Sequence, residues 1–363
     1  MILDFVEVEN FRNLSGKIFW GPGLNIIYGN NGQGKTNWLE AIHLLSRTKS
    51  FRTQRLQESI RFGAETAFVA GEISTGNDLR RDLRLTLKDN TKAIWVNGKR
   101  EQLSRYLGLL QVFAFTADQL EVVRGMPEAR RHFIDRGVAS LRPAYVQTVS
   151  DYNKVIKQKN RILQDSSERE LRPEQIEDLL APWNDQLACL GAEIHRARVD
   201  YTERINSALE RRLFEPTELQ IRYSSSLEGK GETGDYTALL RARLQLRLPA
   251  EVAAGRALVG PHRDDLEMTI QGTDARSFAS QGQQRTAVVS LKLAESDLIE
   301  ARSGERPILL LDDVLSELDP IRREALLARV GEAGQVIVTS VEADPFPAAL
   351  MERATVRCIS GGR

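Results

Sequence analysis

The sequence predicts an α/β fold with an attached antiparallel β lobe and an inserted α-helical domain, and three observations carry that prediction. A short apolar run, residues 24 to 28 (LNIIY), ends in a glycine-rich stretch and is followed by an amphipathic segment, the order strand, loop, helix. Residues 66 to 96 alternate apolar and polar positions in short runs separated by turn signals. From about residue 120 to 213 the apolar spacing becomes helical.

In chain order, residues 2 to 9 (ILDFVEVE) read as a half-buried strand and 24 to 28 as a buried one. Strands follow at 66 to 73, 82 to 88 and 92 to 96, the last before Asn97-Gly98, a dipeptide that favours a type I′ turn. Tyr145, Val149, Tyr152, Ile156 and Leu163 then line one helical face. Ile176, Leu180, Trp183, Leu187, Leu190, Ile194, Ala197 and Tyr201 recur at steps of four and three, the seam of a helix packed along a partner. Pro182 is expected to break or restart that helix. With residues 165 to 175 as a loop, the two segments form an antiparallel arm roughly 30 Å long. After an exposed loop at 224 to 235, strands return at 266 to 270, 307 to 311 and 335 to 339. Residues 1–118 and 216–363 are thus expected to build one head domain, with 119–215 inserted as a helical arm domain.

The chain has 363 residues, enough to bury a sizeable core. Fifty Lys and Arg balance fifty Asp and Glu, so any nucleic-acid site must be a local patch rather than an overall field. Cys189 and Cys358 lack metal-ligand spacing and read as inert buried thiols of a cytoplasmic protein. His43, His132, His195 and His262 show no metal spacing either. Neither a signal peptide nor a run of about 18 apolar residues occurs, which predicts a soluble chain with no membrane partner.

The strongest local signal is Gly29-Asn30-Asn31-Gly32-Gln33-Gly34-Lys35-Thr36, which fits the phosphate-binding P-loop pattern in its required context. Small residues let backbone N–H groups converge on a triphosphate at a helix N-terminus. Lys35 then reaches the β and γ phosphates of ATP, and the Thr36 hydroxyl ligates Mg²⁺. The apolar strand ending at Asp312-Asp313 supplies two acids: Asp312 on the metal side, and Asp313 as candidate base for the attacking water. Ser280-Gln281-Gly282-Gln283-Gln284-Arg285 opens a helix some thirty residues earlier. Read alone it is as good a helix cap as a ligand. In series with the other two motifs it looks like the signature of ABC ATPases, where Ser280, Gly282 and Gln283 would face a γ-phosphate held by the opposite subunit. Ser316-Glu317-Leu318-Asp319 resembles the ABC D-loop. The switch position after the last strand falls on Thr339 or Ser340, and the metal-linked Gln on Gln119, with Asp118 equally placed.

Several stretches together resemble the RecF family within the ABC/SMC-like ATPases: Asn10 to Leu14, the P-loop with Asn30-Asn31, Ser50 to Thr53, Gly260 to Leu266, Ser280 to Arg285 and Leu311 to Asp319. The resemblance spans nearly the whole chain, and it implies an ABC-type ATPase head with an inserted helical domain, a weak DNA-stimulated ATPase and an ATP-dependent homodimer. It further implies action at gapped DNA where double-stranded and single-stranded DNA meet, RecR as partner, and promotion of RecA loading. Arg12 is carried over from related heads as an ATP ligand. Asp313 stands where transporters carry Glu, one methylene longer, which suits slow turnover. An overcoming-lysogenization-type relative would need a C-terminal nuclease domain, and an SMC-type one far longer coiled coils. An alternative of another class is a non-hydrolysing, ATP-dependent scaffold.

Arg47, Lys49, Arg52 and Arg55, with no acid among residues 47 to 55, form the preferred DNA patch. A second cluster, residues 80 to 105, holds eight basic and three acidic residues. No base-reading motif is present, so sequence-independent binding is expected.

Overall fold

The computed structural model describes residues 1–76, 79–115, 117–168, 171–210, 218–229, 234–315, 320–332, 334–341, 346 and 348–361. Two compact units emerge, Met1–Gln119 with Val289–Arg363, and Leu120–Arg212 with Pro216–Val288.

Two sheets build the first unit. Five parallel strands run in the order Thr355–Cys358, Leu24–Tyr28, Val336–Ser340, Ile308–Asp312, Val112–Phe115. The central ones are buried almost throughout and mostly apolar because both faces are covered, as parallel strands require. Six antiparallel strands follow the order Leu14–Phe19, Ile2–Phe11, Thr66–Ser74, Arg80–Lys88, Thr91–Val96, Lys99–Arg100. Here one face only is apolar: Leu83, Leu85 and Leu87 point inward and alternate with polar neighbours. Helix Lys35–Arg47 carries Trp38, Leu39, Ile42, Leu44 and Leu45 into the same core. Each such fully buried side chain contributes roughly 1.5–3 kcal/mol. The helix ends at Thr48, which turns left-handed (φ 54°) and caps Leu44 O.

In the second unit, helices Tyr145–Glu168 and Pro173–Leu209 pack antiparallel, a register held by Thr148 with Glu193 and Lys159 with Asn184. Their overlap is about 36 Å long, near the expected arm. Pro182 does not break the helix, contrary to expectation. It sits on the exposed face, and so does Asp178, whose carbonyl loses its partner. The buried seam residues Leu180 and Leu187 hold the helix on either side.

Other boundaries also move. The strand expected at 266 to 270 does not join the parallel sheet; Asp265–Ile270 pairs antiparallel with Leu219–Ser224, and both lie in the second unit. Residues 216–288 therefore group with the helices rather than with the head. Cys189 and Cys358 are exposed, not buried: Cys189 falls just off the apolar seam, and Cys358 ends an edge strand of alternating exposure. Among the described residues no helix is long and apolar enough to cross a membrane, and no group of His, Cys, Asp and Glu could hold a metal ion by itself.

Candidate active site

The site forms where the parallel strands end, because each delivers a different group at its C-terminal edge. Strand Leu24–Tyr28 runs into the glycine-rich loop, and the strand next to it, Val336–Ser340, separates it from Ile308–Asp312. Register places Thr339 opposite Asp312 on one side and Ile27 on the other. The Thr339 hydroxyl accordingly donates to Asp312 Oδ1 (2.9 Å) and accepts from the Asp313 N–H (2.9 Å). Thr36, at the head of the P-loop helix, donates to the same Asp312 Oδ1 at 2.8 Å. Two hydroxyls from distant parts of the chain thus converge on one carboxylate oxygen.

The loop itself requires glycine. Gly34 has φ +106°, and a Cβ there would come within 2.8 Å of Leu14 Cδ2, so loop and first hairpin approach closely only without a side chain. The Lys35 ammonium folds over the loop, donating to the carbonyls of Gly29 (2.5 Å) and Asn30 (3.0 Å). Gln33 accepts from the Gly361 N–H at 2.5 Å, tying the loop to the C-terminal segment. Asn31 and Gly32 form the turn between, with Gly32 at φ +81°.

Burial raises the Asp312 carboxyl above the ordinary carboxylate range; its two hydroxyl partners oppose that shift, and the neighbouring Asp313 reinforces it. Asp313 has φ +53°, a left-handed conformation costly for a residue with a Cβ. Gln119 follows strand Val112–Phe115, whose Phe115 pairs with Leu311. Its amide nitrogen donates to Ala114 O, and its buried Oε1 has no protein partner. Thr36 and Asp312 meet through oxygen atoms, and Gln119 Oε1 is a further oxygen without a protein partner; oxygen donors are the kind that suit Mg²⁺. The side chain of the alternative, Asp118, and the D-loop segment 316–319 lie outside what is described, whereas Ser340 is buried one position beyond Thr339.

Arg12 is not free beside the loop. Its guanidinium grips Glu40 through Nε (3.1 Å) and Nη2 (2.8 Å) and donates to Glu58 O at 2.6 Å. Glu40 is completely buried on the P-loop helix and also accepts from Ser50 Oγ (2.6 Å). Sequence reasoning missed Glu40, although an acid inside the apolar run WLEAIHLL was its signal. It also missed an open groove of about 1060 Å³ lined by Arg12, Asn13, Asn37, Arg52, Arg61 and Phe62. Of the basic residues after the helix, Arg52 turns back to Asn37 (2.6 Å) and stands 3.9 Å from Glu40, while Arg47 lies over the Phe113 ring. Lys49 and Arg55 are exposed.

The signature-like segment belongs to the second unit. Ser280 caps helix Gln281–Ser303 reciprocally with Gln283: Ser280 N–H donates to Gln283 Oε1 (2.8 Å), and Gln283 N–H to Ser280 Oγ (3.3 Å). Gly282 O accepts from Thr286 Oγ1. The bland reading of this motif, a helix cap, is therefore realised within the chain.

The profile of the RecF/RecN/SMC N terminal domain family matches residues 2–358. The DNA replication and repair protein RecF of Lactobacillus johnsonii is 36% identical over 371 aligned positions, covering 100% of this chain and 98% of that one. RecF of Symbiobacterium thermophilum is 37% identical over 357 positions, covering 94% and 92%. A solved structure of the recombination mediator protein RecF with ATP in the RecFOR pathway matches with a TM-score of 0.86 at 32% identity, covering 99% of this chain and 96% of that one. An SMC head bound to the C-winged helix domain of ScpA matches at TM-score 0.56 and 16% identity over 99% and 94%, a likeness of fold alone.

Proposed function

The chain belongs to the RecF family of DNA replication and repair proteins, with the α/β head fold of the ABC/SMC-like ATPases, and from that premise we propose that it is an ATP-driven clamp for gapped DNA. The observation that carries this reading is the convergence of Thr36 and Thr339 on Asp312 beside the P-loop. ATP is the substrate. Gly29 to Lys35 cradle its phosphates through backbone N–H groups, with Lys35 leaving its loop carbonyls for the β and γ oxygens. Arg12 exchanges part of its grip on Glu40 for phosphate, and the groove toward Arg61 and Phe62 takes the nucleoside. Thr36, Asp312 and Gln119 would hold Mg²⁺, whose charge would offset that of the phosphate oxygens. Asp313 orients the attacking water, and Thr339 fixes both its backbone and Asp312.

In the proposed dimer the partner's helix start supplies Ser280, Gly282 and Gln283, which requires the Ser280–Gln283 cap to open toward the nucleotide. Closure joins two copies of the patch containing Arg47, Lys49, Arg52 and Arg55 on duplex DNA at a junction with a single strand. Slow hydrolysis releases the clamp after RecR is recruited and RecA loading is promoted.

Sedimentation of the wild type and Ser280→Arg, each with ATP and gapped DNA, tests the composite site. Dimers in the wild type and monomers in the variant are expected; a wild type that stays monomeric when saturated with both ligands defeats the reading. Phosphate release by the wild type and Asp313→Asn separates a hydrolysing clamp from a static scaffold, since only the former loses turnover in the variant.

A further inference from the structure

We propose that the outward face of the antiparallel sheet is a stacking platform for single-stranded DNA, centred on Phe68, Arg84 and Trp95. Four of the eight basic residues of the second cluster, Arg80, Arg84, Lys88 and Arg100, fold onto this face. Cross-strand pairing sets Ala70, Arg84, Trp95 and Arg100 in one row, Phe68, Thr86 and Ala93 in the next, and Thr66, Lys88 and Thr91 in a third. Residues paired in this way point to the same side, so these three rows form a single surface. Its floor is Thr and Ala, small enough to leave the two aromatic rings accessible from solvent.

The inward parity of the same strands, Leu83, Leu85, Leu87 and Ile94, already fills the core, so folding does not need the outward rings. Phe68 and Trp95 are half-buried, while Arg84, Lys88 and Arg100 are exposed. The Arg84 guanidinium lies 4.5 Å from the centre of the Phe68 ring. Lys92, by contrast, is turned inward and bonded to Thr48, so it takes no part. Four acids share the face: Glu9 beside Phe68, Glu7 beside Ala70, and Glu72, paired with Arg80, beside Asp82.

Rings for base faces and guanidinium groups for phosphates, set side by side on one sheet face, are the elements of sequence-tolerant single-strand binding. Duplex bases are stacked on one another and offer no free face to such a ring. The choice of DNA over RNA rests on the family reading above; the site itself does not depend on head closure.

Trp95 is its own probe, because Trp20 and Trp38 are buried and Trp183 lies in the other unit. Titrating the full-length protein with a short oligo(dT) is expected to quench tryptophan emission, and Trp95→Phe should abolish the quench while keeping affinity measured with a labelled oligonucleotide. Trp95→Ala and Phe68→Ala should each weaken binding about tenfold or more. Arg84→Ala, at an exposed position that leaves the fold intact, should weaken it and reduce the salt dependence by about one counterion. An unchanged affinity in the Phe68→Ala/Trp95→Ala double variant, no quench at low salt, or equal binding of oligo(rU) overturns the proposal. ATP-dependent duplex binding measured in Trp95→Ala separates the two readings: its retention with single-strand binding lost supports this site, whereas a wild type whose duplex binding ignores ATP defeats the clamp and leaves the platform standing.

Discussion

The two units each contain a dense polar cluster, and the clusters are built to opposite ends. In the first unit Asp312 collects two hydroxyls on one oxygen, Gln119 Oε1 is buried without a partner, and Asp313 is held in a left-handed conformation. In the second, Arg198 is nearly buried and grips Asp135 through two bonds (2.9 and 3.0 Å) while donating to Pro261 O at 2.8 Å. Around it Tyr145 bonds Asp135, Tyr223 bonds Asp264, the Ser226 N–H bonds Asp264, and Tyr152 meets His262 Nδ1 at 2.8 Å. The first cluster keeps unsatisfied valence at the ends of strands, where a ligand arrives. The second, His195 Nδ1 apart, spends its valence internally, around the Gly260 to Leu266 motif, and fixes a shape. Density of polar residues does not distinguish the two clusters; the convergence of two hydroxyls on a strand-end carboxylate beside a strained acid does.

If that contrast holds, damage to the first cluster should cost function without stability, and damage to the second the reverse. Lys35→Ala is expected to lower ATP binding and turnover together by about 10²-fold or more, with the urea midpoint of the protein unchanged. A shifted midpoint would mean that the loop lysine is structural. Arg198→Met leaves the half-buried Asp135 with Tyr145 as donor but without its cation, a loss of roughly 1.5–3 kcal/mol by urea unfolding, while the folded fraction still binds ATP.

Acid should probe the second cluster selectively. Burial holds the His262 imidazole at a pKa of about 4 against its ordinary 6.5, and His195, stacked on Tyr236, is lowered in the same direction by the same cause. Below pH 6.5 the unfolded chain binds a proton that the folded chain refuses until about pH 4. His262 therefore contributes its full stability above pH 6.5, and that contribution, about 3 kcal/mol, is withdrawn as the pH falls through this window. His262→Gln should flatten the urea midpoint against pH between 4 and 6.5; a curve parallel to the wild type would show that the histidine does not report. The smallest effect is expected for Thr339→Val, about tenfold in turnover with ATP affinity retained, because it removes one positioning hydroxyl and no phosphate contact.

The parts legible in the sequence were those whose chemistry demands contiguous residues. The P-loop and the Asp312-Asp313 strand end are such cases, and both lie where their spacing placed them. The strands Val112–Phe115 and Thr355–Cys358 escaped notice, since four residues carry too little periodicity to separate a strand from a loop. Thr339 was one of two candidates until register set it opposite Asp312. The role of His262 stayed open in the sequence because its partner, Tyr152, is 110 positions away. Gln119 rested on a short motif alone, and what distinguishes it, a buried oxygen without a partner, is visible only in three dimensions. The basic stretch 47 to 55 read as a single patch, yet Arg52 faces the P-loop helix and Glu40, so its removal would disturb the nucleotide site as well as any DNA contact. Lys49→Ala with Arg55→Ala is for that reason the cleaner test of DNA binding there.

Calorimetric titration of ATP into the wild type and Asp312→Asn, each with and without Mg²⁺, tests most directly whether the converged oxygens of the first cluster are a metal-assisted nucleotide site. The wild type should bind one ATP per chain more tightly with Mg²⁺ than without, and the variant should lose that difference while keeping metal-free binding. Equal Mg²⁺ enhancement in both proteins, or no ATP binding by the wild type, would contradict the assignment.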